Sequence, residues 1–192
     1  MKDSNTATTL RADNRRQALV DAAAAAFREH GYHAASMREV AGRVGMLAGS
    51  MYYHFRSKDD LLLAVYAEGV QRLCDQVRSE IEGIDDPVER LQAALEAHLD
   101  SLLDGSDYGQ VVIRVLPKDA PGVEDQLVAL RTDYENIFKT LIDELDMTTE
   151  KKQYLRLFLI GASNWAQVWY HKGGDSPRTI ARQLMNCLDL GR

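Results

Sequence analysis

Apolar residues recur along this chain at three- and four-residue intervals, the spacing of one buried face of an α-helix. The sharpest punctuation lies within residues 36–61, SMREVAGRVGMLAGSMYYHFRSKDDL. Ser36, followed three residues later by Glu39, is a capping box that opens a helix at Met37. Met37, Val40, Ala41 and Val44 then form one apolar stripe, and Gly45 stands where a left-handed C-terminal residue fits. A second helix is predicted from about Leu47 to Phe55, with Met51 and Phe55 on its inner face. Ser57 caps a third, whose first turn holds Asp59 and Asp60, where the helix dipole favours negative charge. Helix, Gly-containing turn, helix is the helix-turn-helix pattern. Upstream, Arg16 to His30 repeats Leu19, Ala23, Ala26 and Phe27, a scaffold helix that Gly31 ends and that closes a three-helix core.

Beyond Ser57 the pattern becomes a series of amphipathic helices. Lys58 to about Glu82 carries Leu62, Val65, Gly69, Leu73 and Val77, and Gly83 stops it. Asp86-Pro87 starts the next helix, which places Leu91, Leu95, His98, Leu99 and Leu102 on one face and ends at Gly105. Tyr108 to Leu116 is a short apolar helix broken by Pro117 and Pro121-Gly122. A long stripe from Val123 through Tyr134 to Leu145 follows, up to Met147. The next runs Leu155, Phe158, Leu159, Ala162, Trp165, Ala166 and Trp169, closed by Gly173-Gly174. Ser176-Pro177 begins the last helix, with Ile180, Leu184, Cys187 and Leu188 expected to face inward. The predicted fold is all-α: a flexible N-terminal arm over 1–13, a three-helix helix-turn-helix domain over 14–57, and a helical ligand-binding and dimerisation domain over 58–192. The last two helices carry more apolar surface than one body buries, and Gly161, Ala162 and Ala166 let another helix approach closely.

Composition sharpens this division. Four prolines in 192 residues suit long helices. No stretch approaches the roughly 20 apolar residues of a membrane span, and MKDSNTATTLRADNRR lacks the apolar core of a signal peptide. A cytoplasmic protein without membrane contact is expected, with Cys74 and Cys187 as reduced, buried thiols. Through Lys58 there are nine basic and five acidic residues, a net of +4; the whole chain is −6, which leaves −10 for the remainder. A basic head on an acidic body can hold DNA by the head alone. Catalysis finds no support: there is no Gly-rich phosphate loop after a strand, no nucleophile elbow and no clustered metal-ligand spacing. His30 with His33, and Cys187 with Asp189, are pairs without a third partner. No cofactor and no metal are expected.

The chemistry of the second short helix suits a DNA groove. Ala48, Gly49 and Ser50 are small enough for close approach to base edges; Ser50 can hydrogen-bond and Ala48 can touch a thymine methyl. Tyr52, Tyr53, His54 and Lys58 can place hydroxyl, imidazole or ammonium groups on phosphates, which fixes orientation. Arg16, Ser36 and Arg38 complete the expected contacts with double-stranded operator DNA. Met51 and Phe55 are read as core.

Gly31-Tyr32, Ser36, Val40-Ala41, Gly45, Gly49-Ser50, Met51-Tyr52, His54-Phe55 and Ser57-Lys58-Asp59 together resemble the N-terminal domain of the TetR family of bacterial repressors. The resemblance implies an all-helical homodimer with an N-terminal DNA-binding domain and a C-terminal effector pocket. It implies, too, that the last two helices pair with their mates in a four-helix bundle. Two reading helices then meet successive major grooves of a palindromic operator, about 34 Å apart or a multiple of that. The chain departs from the pattern at Leu47 and Ala48, where many members carry Ser or Thr and Lys, so a side-chain cap and a direct base contact are missing there. The run from Asn164 to Tyr170, with Gly173-Gly174 and Ser176-Pro177, resembles members that answer to acyl-coenzyme A thioesters. A small hydrophobic or acyl-CoA effector that releases DNA is therefore expected, with His98, Arg114, Trp165 and Trp169 as its candidate contacts and the long helix from Lys58 as the mechanical link. Other readings stay open at this point. Trp165 and Trp169 also suit a core or dimer interface, and His98 a buried structural role. The chain also suits a helical sensor that does not bind DNA.

Overall fold

The computed structural model describes residues 3–103 and 105–188, with side chains from Asp13 onward. Met1 and Lys2 of the expected arm, and Asp189, lie outside the described residues. Among those described there are nine α-helices, two short 3-10 turns and no strand. No described helix is long and apolar enough to cross a membrane.

The head is built from α1 (Asp3–Ala34), α2 (Met37–Arg43) and α3 (Ala48–Met51). The backbone of α1 is already helical at Asp3, within the segment expected to be a flexible arm, and breaks at Gly31, whose φ is +78°. Ser36 Oγ accepts from Glu39 N at 3.2 Å, as the capping box requires. The Glu39 carboxylate accepts from Arg43 at 2.8 Å. Arg43 also donates to Glu29 of α1 at 2.7 Å, so one guanidinium ties the first two helices together. Gly45 has φ +67°, a conformation that disfavours any side chain. Leu19, Ala23 and Phe27 from α1 meet Val40, Ala41, Met51 and Phe55 in a closed apolar core.

The reading helix is shorter than expected: α3 ends at Met51, and helical turns continue from it, with His54 N and Phe55 N both donating to Met51 O. Leu47 occupies its N-cap with no side-chain hydrogen bond, so one of the helix's first amides lacks the partner that Ser or Thr would supply.

The body comprises α4 (Lys58–Ile81), α5 (Pro87–Leu103), α6 (Asp107–Arg114), α7 (Glu124–Asp143), α8 (Thr149–Trp169) and α9 (Pro177–Asn186). Caps fall where the sequence placed them: Ser57 accepts from Asp60 N, Asp86 from Val88 N and Glu89 N, and Ser176 from Thr179 N. α5 is the central helix, packed against α4, α7, α8 and α9. α4 also packs on α1 and α6. Its Gly69 is why α6 comes so close: a Cβ there would sit 2.7 Å from Val112 Cγ2 and 3.2 Å from Tyr108 O.

Two inward faces differ from the sequence reading. α9 turns Ala181 and Met185 to the body, while Ile180 and Leu184 are only half-buried and Cys187 is exposed; Cys74 alone of the two thiols is buried. Ion pairs set this rotation. Arg178 and Arg182 share a helix face with Ala181 and Met185, and they reach Glu80 and Asp100, and the buried Glu96, respectively. On α8 the body takes Leu155, Leu159, Ser163 and Ala166, leaving Tyr154, Leu157, Phe158, Trp165, Val168 and Trp169 exposed.

Candidate DNA-reading head and ligand cavity

On the head, the turn that follows α3 stands clear of the core. Tyr53 is 92 % exposed and Leu47 81 %, and Tyr52 is also exposed. Ala48, Ser50 and His54 are half-buried beside the core residues Met51 and Phe55. Gly49 is open: a Cβ there meets nothing within 4 Å. Arg38 is exposed, and Arg16 lies 4.9 Å above the Phe55 ring. Arg15 and Arg56, which the sequence reading had only counted as charge, are also exposed and form no ion pair among the described residues.

Two of the expected DNA contacts have structural duties as well. Ser36 caps α2. Lys58 Nζ donates to Tyr32 O at 2.9 Å, His33 O at 3.0 Å and Ala35 O at 3.2 Å, and lies 4.5 Å from the Tyr32 ring centroid. All three ammonium protons are engaged with the carbonyls at the end of α1, which leaves none for a phosphate in this arrangement. The Tyr32 hydroxyl donates to Asp59, which completes the joint between α1 and α4. Arg43 hydrogen-bonds to Glu29 and Glu39 and holds both carboxyls below their usual range.

In the body, α4 to α8 enclose a cavity of about 280 Å³. Its wall is mostly apolar, with Val70, Leu73, Leu102, Val112, Ile113 and Ile160, and its polar groups are His98, Arg131, Tyr134, Glu135, Asn164 and Gln167. His98 is buried, with Nδ1 2.7 Å from the Tyr134 hydroxyl and no hydrogen-bond partner at Nε2. Burial pushes its imidazole down to about 4, against a smaller opposing influence of Asn164. Arg131 donates to the Tyr66 hydroxyl at 3.0 Å and to Val112 O at 3.3 Å. Trp165 lines the cavity while 63 % exposed.

Of the four expected effector contacts, the structure brings His98 and Trp165 to the cavity. Arg114 and Trp169 are exposed and do not line it. α6 turns Val112 and Ile113 to the cavity and Arg114 to solvent, so the arginine at the wall is Arg131, one helix later. The only signal for Arg131 was its place three residues before Tyr134 on the same stripe.

The cavity walls also hold the head. Tyr108 of α6 donates to Asp21 of α1 at 2.5 Å and accepts from Gln17 at 3.3 Å. Arg28 of α1 pairs with Asp107 at 2.9 Å and donates to Gly105 O at 3.0 Å. Displacement of α6 therefore reaches α1 directly as well as through α4.

A helix-turn-helix head joined through shared helices to a cavity-bearing helical body defines a DNA-binding regulator with a ligand-binding domain. Residues 19–65 match the bacterial regulatory proteins of the tetR family, and residues 84–189 match the tetracyclin repressor-like C-terminal domain. The chain belongs to the TetR family; it is a DNA-binding transcriptional regulator and not an enzyme. It is 31 % identical over 159 residues to the HTH-type transcriptional activator FasR of Mycolicibacterium smegmatis, covering 82 % of this chain and 73 % of that one. It is 26 % identical over 187 residues to the HTH-type transcriptional repressor KstR2 of Mycobacterium tuberculosis, covering 93 % and 92 %. The fold matches the crystal structure of AibR in complex with isovaleryl coenzyme A and operator DNA at a TM-score of 0.77, over 91 % of this chain and 97 % of that one, at 22 % identity.

Proposed function

We propose that the chain acts as a homodimeric repressor that binds a palindromic operator through its two heads and is released when an acyl ligand, an acyl-CoA thioester or a related compound, fills the body cavity. The observation that carries this reading is the shared wall. Val70 and Leu73 of α4 and Val112 and Ile113 of α6 line the cavity, while the same two helices hold α1 through Lys58, Asp59, Asp107 and Tyr108. A ligand that spreads these helices changes the angle of the head. It shifts the equilibrium only by its preference for the spread state. A hundredfold loss of operator affinity corresponds to about 2.7 kcal/mol of coupling.

Dimerisation is supported by the α8 stripe. Tyr154, Leu157, Phe158, Trp165 and Val168 recur at helical spacing and are exposed in one chain, an apolar surface larger than scattered single residues would give. A second copy related by a two-fold axis covers it with the same surface. The acyl reading is supported by the apolar wall, and by AibR, whose complex holds isovaleryl coenzyme A. A cavity of about 280 Å³ accommodates an acyl chain and leaves a coenzyme moiety outside.

The test is fluorescence anisotropy on a labelled operator, found by footprinting the tagged protein on genomic DNA, titrated with short- to medium-chain acyl-CoA thioesters. Operator release at micromolar thioester, weakened in Trp165→Leu, is the expected result. A panel that leaves operator affinity flat while an unrelated hydrophobic dye releases DNA overturns the acyl part and leaves the regulator standing.

A further inference from the structure

We propose that the cavity selects a neutral hydrogen-bond acceptor, such as a ketone, ester or thioester carbonyl on an apolar chain, through the Nε2–H of His98. The assignment rests on the reading of the body cavity as the ligand site.

The Tyr134 hydroxyl sets the tautomer of His98. It is buried, and its one hydrogen-bond partner among the described residues is His98 Nδ1, at 2.7 Å. A phenol can donate or accept, but only by donating to Nδ1 does this buried hydroxyl satisfy its own proton. Nδ1 therefore accepts, and the ring proton of the neutral imidazole sits on Nε2. That nitrogen is fully buried and meets no partner in hydrogen-bond geometry, although Asn164 lies close enough to favour its protonated form, and both residues line the cavity. A buried donor with no acceptor is a standing penalty, and a ligand oxygen placed against it removes that penalty.

Charge then narrows the ligand class. Burial keeps the imidazole uncharged at neutral pH. The two charged residues of the wall, Arg131 and Glu135, are opposite in sign. Arg131 already donates to Tyr66 and Val112 O. A carboxylate drawn in against His98 Nε2 would lose its hydration for one neutral donor, since no charged side chain is among the influences on that imidazole. A neutral carbonyl loses far less hydration, and its chain packs against Leu102, Ile113 and Ile160. The polar device is thus suited to an esterified or thioesterified acid and not to the free acid.

The test uses the full chain and three probes of similar size: 2-heptanone, heptanoate and heptane. In the free protein, imidazole 15N spectra are expected to show His98 as the neutral Nε2–H tautomer. Adding 2-heptanone is expected to shift that proton downfield. His98→Phe should weaken 2-heptanone about tenfold and heptane less than about twofold, the size of one hydrogen bond. Heptanoate should bind at least about tenfold more weakly than 2-heptanone to the native chain. If His98→Phe does not fold, Tyr134→Phe serves: it frees Nδ1, unlocks the tautomer and should cut the same preference. An Nδ1–H tautomer, equal losses for ketone and alkane, heptanoate binding as tight as the ketone, or no ketone binding at millimolar concentration each overturns the proposal. None of these readings involves DNA. A ketone that binds with the His98 signature but leaves operator affinity unchanged would refute the effector role and leave this assignment intact.

Discussion

The head and the body solve the same packing problem in opposite ways. In the head, the start of α2 and the joints of α1 are tied by named polar groups: Ser36 on α2, Arg43 between α1 and α2, and Lys58 and Asp59 between α1 and α4. Its core of Leu19, Phe27, Val40, Met51 and Phe55 is closed. In the body, α5 is surrounded by helices yet borders a cavity, and one ring nitrogen of a buried histidine in that wall, Nε2 of His98, lacks a partner. The exposed surfaces differ as well. The head shows Tyr52 and Tyr53 alongside arginines without ion pairs, a chemistry for phosphate. α8 shows Tyr154, Phe158 and Trp165 among leucine and valine, a chemistry for another apolar surface. A reading head has to keep one shape, whereas a sensing body has to leave room for a ligand and for a change of shape.

The largest effect should come from breaking the closed core of the head. Phe55 is 3 % exposed, and Phe55→Ala is expected to cost about 3–5 kcal/mol in urea unfolding. Tyr53→Ala, two residues away on the outside, should stay within about 0.5 kcal/mol of the native chain while weakening all DNA sequences alike.

The body should show its contrast in acid. His98 has its pKa lowered from 6.5 to about 4 by burial. The unfolded chain therefore binds a proton that the folded chain refuses throughout that window. Stability is full above pH 6.5 and falls as pH drops from 6.5 towards 4, by about 3 kcal/mol in total. In urea melts between pH 7 and 5, the native chain should lose stability relative to His98→Phe as pH falls. Parallel curves would show that the imidazole is not held neutral.

A smaller change is expected at the α8 face. Phe158→Glu places a charge in the middle of the proposed interface and should weaken self-association at least about thirtyfold, or about 2 kcal/mol. Sedimentation equilibrium measures this, with circular dichroism confirming an intact helical monomer. A native chain that is monomeric at micromolar concentration would remove the interface altogether.

The smallest effects separate the basic residues of the head. Lys58→Met should cost about 1 kcal/mol of stability through the lost carbonyl bonds, with the salt dependence of DNA binding unchanged. Arg38→Ala should leave stability alone and reduce the slope of log affinity against log salt by about one.

The sequence makes the head far more legible than the body. Caps at Ser36, Ser57, Asp86 and Ser176, the turn at Gly45, and the buried pair Met51 and Phe55 are local signals, and local chemistry decides them. The end of α3 at Met51 was not visible, because helical turns without a cap continue the same apolar spacing to Phe55. The inward faces of α8 and α9 were misjudged for a different reason. Periodicity identifies an apolar stripe but not which partner covers it, and α9 is rotated by distant carboxylates at Glu80, Glu96 and Asp100. The same limit misplaced the cavity arginine: whether Arg114 or Arg131 reaches the cavity depends on how α6 and α7 pack.

The central claim is that the turn around α3 reads DNA. Gly49→Leu tests it most directly, since the position is exposed with nothing within 4 Å of an added Cβ, so the fold should survive while the groove is blocked. Operator affinity by anisotropy, with the unfolding midpoint measured on the same sample, should show binding weakened by about a hundredfold or more, roughly 2.7 kcal/mol, at an unchanged midpoint. Undiminished operator affinity in a fully folded Gly49→Leu chain would contradict the account.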